Sequence, residues 1–200
     1  MSKQDVKAFV ARRLQIIQSL PDNQRRAELA RLRRGVGHAP GELPELWGTF
    51  LNGMPEGFLA RDGRPSREEW AVYLALTLYA VHQQSQDKPM HRQGSTLGTA
   101  VRELAEQASV QGQDWTNSSA VKRFNVLATA ESMPEIAHYL RAMIQLLRSA
   151  KDGAIPLDYV QLAADLYELQ FPDGIQRVRL RWGQDLYRNI QNSKTENEEK

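Results

Sequence analysis

The sequence predicts an all-α protein: a compact multi-helix bundle, with room for a division into two small helical lobes. Three observations predict it. Apolar residues recur at helical spacing along most of the 200 residues, whereas strand-like alternation is hardly seen. Two Ser-x-x-Glu sequences, Ser66 with Glu69 and Ser132 with Glu135, stand directly before apolar runs, where they read as reciprocal N-terminal caps. Proline and glycine cluster between the runs, in "NGMPEGFLARDGRP", "KDGAIP" and "FPDG". At 41% hydrophobic residues the chain is long enough to bury a core of its own.

In the first helix, Val6, Phe9, Val10, Ile17 and Leu20 share a stripe, and Pro21 with Asp22 ends it and opens the next. That second helix carries Arg25, Arg26, Arg31, Arg33 and Arg34 and stops at Gly35. Pro44 suits the first turn of a third helix that turns Trp47, Phe50 and Leu51 inward. The run "SREEWAVYLALTLYAVHQQ" is apolar around most of its circumference, which predicts a central helix. A polar connector leads to a helix starting near Ser95, read as its N-cap, and "QGQDWTNSS" leads to another bearing Val121, Phe124 and Leu127. The Ser132 helix buries Ile136, Leu140, Met143, Ile144 and Leu147. Two more run from Leu157 to Gln170 and from about Asp173 to Ile190. The domain therefore spans 1–191, with a candidate lobe boundary near 87–118. The stretch 192–200, with Glu196, Glu198 and Glu199, reads as a disordered acidic tail.

Formal net charge is +2, yet 19 of the 26 cationic residues are arginine, whose planar fork suits phosphate better than lysine's point charge. With no cysteine, disulfides, thiolate metal sites and cysteine nucleophiles are excluded. The absence of a bilayer-length apolar run and of a signal-peptide pattern predicts a cytoplasmic protein with no membrane partner.

Enzyme chemistry finds no support. His38, His82, His91 and His138 are dispersed, and no HExxH, P-loop or GxSxG pattern occurs; "GSTLG" misplaces the serine by one. His82 and His91 lie close enough to share a ligand across the connector, but no acids cluster with them. No metal or cofactor is therefore expected.

The cations are more informative when projected at about 100° per residue. On the last helix, Ile175, Val178, Trp182, Leu186 and Ile190 occupy one arc. Arg177, Arg181 and Arg188 line up opposite, with Gln184 among them and no acid. Arg179 falls within the apolar arc and is expected in a structural ion pair. On the Ser132 helix Arg141, Gln145 and Arg148 lie away from the apolar stripe. Arg26 and Arg33 share a face, Arg34 abuts the glycine loop, and Lys122 and Arg123 form a further pair. Each has a plain structural alternative: Arg33, Arg34 and Arg148 sit late in their helices, where cations complement the macrodipole. Together the stripes point to a phosphate-tracking surface, provided the fold brings them to one side. Trp47, Trp70 and Trp182 lie at core phases; Trp115, in a polar connector, is the one candidate for exposure and base stacking.

Seven segments, "RRGVGHAPGELPELW", "EEWAVYLALTLYAVHQQ", "STLGTAVRELA", "KRFNVLATA", "YLRAMIQLLR", "LDYVQLAADLY" and "RVRLRWGQDLYR", occur in this order between about 25 and 190. The chain thereby resembles the CasB family, the small subunit of the type I-E CRISPR surveillance complex Cascade. That resemblance implies an all-α subunit without catalytic activity, present as a pair of copies between the guide-binding backbone subunits and the large subunit. Its basic residues would steady the target strand paired with the guide RNA and the displaced strand, stabilising the R-loop. Arg33 and Arg34 match the family's arginine pair before the glycine loop, Arg123 its basic residue before the aromatic of "KRF", and Arg141 its "LRAMIQLLR" segment. Arg26, Lys122, Arg148, Arg177, Arg181 and Arg188 rest on the helical projection. Where some relatives carry a basic residue after "SLG", this chain has Thr99. The alternative is a structural adaptor whose basic faces meet acidic neighbouring subunits.

Overall fold

The computed structural model describes residues 2–109 and 114–188. Ile190, the acidic tail at 192–200 and part of the "QGQDWTNSS" connector lie outside the described residues. Among those described, nine α-helices follow one another: α1 (Lys3–Ser19), α2 (Asp22–Arg34), α3 (Trp47–Phe50), α4 (Arg67–His82), α5 (Leu97–Ala108), α6 (Ser119–Thr129), α7 (Met133–Arg148), α8 (Tyr159–Glu168) and α9 (Pro172–Tyr187). The fold is all-α.

α4 is the axis. Ser66 Oγ accepts from the Glu69 N–H while Glu69 Oε2 accepts from the Ser66 N–H, so the helix starts with both reciprocal bonds made. From Ala71 to His82 every side chain is buried. A helix apolar on all sides must be covered on all sides, and α1, α2, α7 and α8 pack around it. The second group, α5, α6 and α9, leans on this one through α7 and α8. One continuous set of buried apolar side chains runs from Val6 to Leu186 through both groups.

Two junctions are tight. α5 and α9 meet backbone to backbone at Gly98, where an added Cβ would collide with Trp182 O and lie 2.7 Å from Leu186 N. The end of α2 is pinned by Tyr73, whose hydroxyl donates to Gly35 O at 2.9 Å.

Three local expectations need correction. Trp47 is 49% exposed; the segment from Pro44 to Leu46 is a 3-10 turn, which rotates the phase, so that Leu46 takes the buried place instead. Thr96, not Ser95, caps α5 by accepting from the Thr99 N–H. Ser95 is buried and does tertiary work: its hydroxyl donates to Pro156 O and its carbonyl accepts from the Asp158 N–H, both at 2.7 Å. At α7, Ser132 accepts from Glu135 N–H, but Glu135 returns its bond to Glu131 N–H rather than to Ser132, leaving half a capping box.

Gly98→Ala is expected to lower stability by about 1–3 kcal/mol, because the methyl must separate α5 from α9. Gly183→Ala, also in a helix but with nothing within 4 Å of the added carbon, is expected to raise it by about 0.5–1 kcal/mol. Urea unfolding of both variants beside the parent chain checks the pair.

Candidate nucleic-acid interface

Two helices packed on α4 bring cations from distant parts of the chain to one side of it. α2 and α7 both pack on α4. The first turns of α2 face the turn after α4 and its last turn ends against Tyr73 and Thr77, whereas α7 ends beside Val81. Arg148, on α7, donates to Val81 O at 3.3 Å and to Gln84 Oε1 at 2.9 Å, which places its head over the last turn of α4. Arg33, on α2, is half-buried beside it: partial burial first, and the Arg148 charge second, push its guanidinium below its ordinary value. It stays charged all the same. Arg141, one face along α7, reaches the glycine loop, where its Nη1 lies 3.7 Å from the position a Cβ on Gly37 would take. Gly37 adopts φ +96°, a left-handed conformation that favours glycine. Arg34 is exposed next along α2. None of Arg33, Arg34, Arg141 and Arg148 forms an ion pair among the described residues. Below Arg33, a groove of about 950 Å³ separates α2 from the turn after α4, with Asp22, Arg25, Arg26 and Arg33 on one wall and Gln83, Gln84, Gln86 and Asp87 on the other.

Other cations of the arginine run are already engaged. Arg25 and Arg26 both pair with Asp22 in the first turn of α2, Arg26 at 2.8 Å, although the Arg26 side chain remains 80% exposed. Arg31 lies 3.6 Å from Glu28. Arg13, which the sequence reading passed over, is buried between α1 and α3, donating to Thr49 O and lying 3.5 Å from Glu28.

The stripe on α9 divides. Arg181 bonds Asp165 Oδ1 at 2.6 Å and Glu168 Oε2 at 2.8 Å, so its charge is answered from α8, and the expectation of an acid-free row fails at this position. Asp165 is buried and also accepts from Trp182 Nε1–H at 2.7 Å and from Gln161. Burial raises its pKa against these partners. Arg179 is not in the expected ion pair either. It donates to Ala130 O at 3.1 Å, closing the C-terminal end of α6. Arg177 is exposed and forms no ion pair among the described residues, and Arg188 is exposed with Asp185 3.6 Å away. Lys122 and Arg123 stand exposed on α6 and form no such pair among the described residues. Since α9 packs on α5 and α8, its cations do not join the set on α2 and α7.

His82 and His91 do share a group, and it is Tyr159: the tyrosine hydroxyl lies 2.9 Å from His82 Nδ1, and the Tyr159 N–H donates to His91 Nδ1 at 3.2 Å. Among the described residues no three potential ligands come together for a metal. No described helix is long and apolar enough to cross a membrane. Trp115 is half-buried, its ring 5.6 Å from that of Tyr187 and 5.0 Å from the Arg102 guanidinium. Tyr187, 59% exposed, went unnoticed in the sequence, though it sits seven residues after another exposed apolar residue of α9, Leu180.

Residues 28–187 match the sequence model of the family described as CRISPR-associated protein Cse2. The chain belongs to that Cse2 family, also called CasB, of type I-E Cascade. Among solved structures, the chain is similar to CasB from Thermobifida fusca at 36% identity, covering 92% of this chain and 98% of that one, with a TM-score of 0.71. It is also similar to a Cse2-family CRISPR-associated protein from Thermus thermophilus at 27% identity, with 94% and 99% covered and a TM-score of 0.63. M. ruber CasB, at 24% identity and a TM-score of 0.60 over 96% and 97% of the two chains, shares the fold. No curated protein matches the chain at a significant level.

Arg181→Ala leaves Asp165 buried without its cation and is expected to cost about 3 kcal/mol at neutral pH. The pKa of Asp165 in the folded state is already raised, so it takes up a proton more readily than in the unfolded chain. The loss therefore grows as pH rises and shrinks toward pH 4, which urea unfolding at two pH values reads out. His82 is held down to about 4 from 6.5, by burial first and the Arg148 charge second. Between those values the unfolded chain binds a proton that the folded one refuses. His82 thus removes stability as pH falls through that window, by up to about 3 kcal/mol, and the difference between wild-type and His82→Gln stability curves is expected to show this slope.

Proposed function

We propose that this Cse2-family protein is a non-catalytic subunit of the CRISPR RNA-guided surveillance complex, and that it stabilises the R-loop through sequence-independent arginine contacts with target and displaced DNA strands. The observation that carries this reading is the meeting of Arg33 and Arg148. Two guanidinium groups share a partly desolvated edge without an acid to answer them, at a cost that an intervening phosphate removes. Arg34 and Arg141 extend the set along α2 and α7, and Arg26, Lys122, Arg123, Arg177 and Arg188 offer further exposed charge. Arg181 contributes least, since its bonds go to Asp165 and Glu168.

Backbone contacts of this kind carry no sequence information, as suits a complex whose specificity comes from guide pairing. R-loop formation is a near-balanced exchange, so a few phosphate contacts shift it appreciably. The partners in this reading are the guide-binding backbone subunits, the large subunit, a second copy of the chain, both DNA strands and the guide RNA backbone. The complex acts in the cytoplasm, without a membrane or cofactor.

The double variant Arg33→Ala with Arg34→Ala is expected to keep its fold, because one half-buried repulsion is removed and no ion pair is lost. Fluorescence anisotropy with single-stranded DNA, single-stranded RNA and duplex DNA across a salt series reads the effect. The slope of log affinity against log salt is expected to fall by about 1.4–1.8 for two lost phosphate contacts. In the assembled complex the R-loop lifetime shortens. An unchanged lifetime assigns these arginines to acidic surfaces of neighbouring subunits instead.

A further inference from the structure

We infer that the outer face of α9, ending at the Trp115–Tyr187 pair, is a stacking site for an unpaired base of single-stranded nucleic acid. This names the ligand class at a second surface and rests on the reading that the protein binds nucleic acid. Tyr187 is the last residue of α9 and is 59% exposed. Its ring is braced from behind rather than loose: Trp115, set in a 3-10 turn by the Asp114 cap, lies 5.6 Å away at an interplanar angle of 44°. A braced, half-open aromatic ring offers contact area at little entropic cost, and every base has a face that fits it.

The charge on the same helix face has the sign such a ligand needs. Arg177, Leu180, Gln184, Tyr187 and Arg188 are all exposed along it, while Asp185 is turned inward and buried. Arg177 has no ion-pair partner among the described residues, and Arg188 has Asp185 only at 3.6 Å. The two arginines are eleven residues apart, about 16 Å along a helix, so a strand stacked at Tyr187 finds cations on both sides of the ring's position or along its approach. A duplex has its base faces occupied by neighbouring pairs, and an acidic peptide would use the arginines but gain little from the ring. An unpaired nucleotide uses both.

The test is anisotropy with two labelled strands of about 16 nucleotides, an oligo(dT) and an abasic backbone of equal length, against the full chain. The wild type is expected to bind oligo(dT) at least about fivefold more tightly than the abasic strand. Tyr187→Ala loses that preference with its salt slope unchanged, and Tyr187→Phe keeps it. Equal binding of the two strands by the wild type, or a preference that survives in Tyr187→Ala, overturns the inference. The Arg33→Ala/Arg34→Ala variant separates it from the reading above: that variant weakens both strands alike and spares the base preference. If Tyr187→Ala is silent while the arginine variant loses affinity, the phosphate surface stands and the stacking site falls. The reverse pattern keeps the stacking site and removes the phosphate surface. A wild type that binds neither strand at low salt removes both.

Discussion

The burial of α4 on every side is the constraint from which the rest of the architecture follows. A single helix whose side chains from Ala71 to His82 are all hidden needs four neighbours, and those neighbours have to enter and leave the axis at its ends. α2 ends against Tyr73 and Thr77 while α7 ends beside Val81, and packing both on α4 brings Arg33 and Arg148 to the same side of it. Arg33 and Arg148 meet because of how an apolar helix is covered, with no local signal linking them. The turn after α4 then supplies a neutral amide, Gln84, which accepts from Arg148 without cancelling its charge.

The arginines sort by what faces them across a helix boundary. Arg13, Arg179 and Arg181 are consumed inside the fold by Thr49 O, Ala130 O and the Asp165–Glu168 pair. Arg25, Arg26 and Arg31 answer acids one turn away on α2. Among those without an ion pair in the described residues, Arg33, Arg34, Arg141 and Arg148 lie along α2 and α7, Arg123 on α6 and Arg177 on the outer face of α9, with Arg12 and Arg64 apart from them. A nearly neutral chain can in this way present locally basic surfaces, because many of its acids are spent internally or in short-range pairs.

What was legible in the sequence was whatever one helix decides for itself. The Ser66–Glu69 cap, the all-round burial of α4 and the buried arc of Val178, Trp182 and Leu186 depend on spacing within about a turn, and they can be read there. Misreadings arose where a residue's partner came from elsewhere. Ser95 looks like a cap until Asp158 and Pro156 arrive from the loop before α8. Arg181 looks free on a projection of α9, since its acids belong to α8. Trp47 fails for a different reason: a 3-10 turn before it shifts the phase by which its position was judged. The candidate site was legible as a set of residues, and its grouping into one cluster and several outlying charges was not, because helical projection carries no information about which helices adjoin.

The pairing of Arg33 with Arg148 sets two demands against each other at one position. Repulsion across a partly dry edge is a standing cost to the free protein, so a neutral side chain at position 33 would relax the fold while weakening its hold on anions. Selection for heat tolerance alone would therefore work against the charge at position 33, the same charge on which a hold on anions at this edge depends.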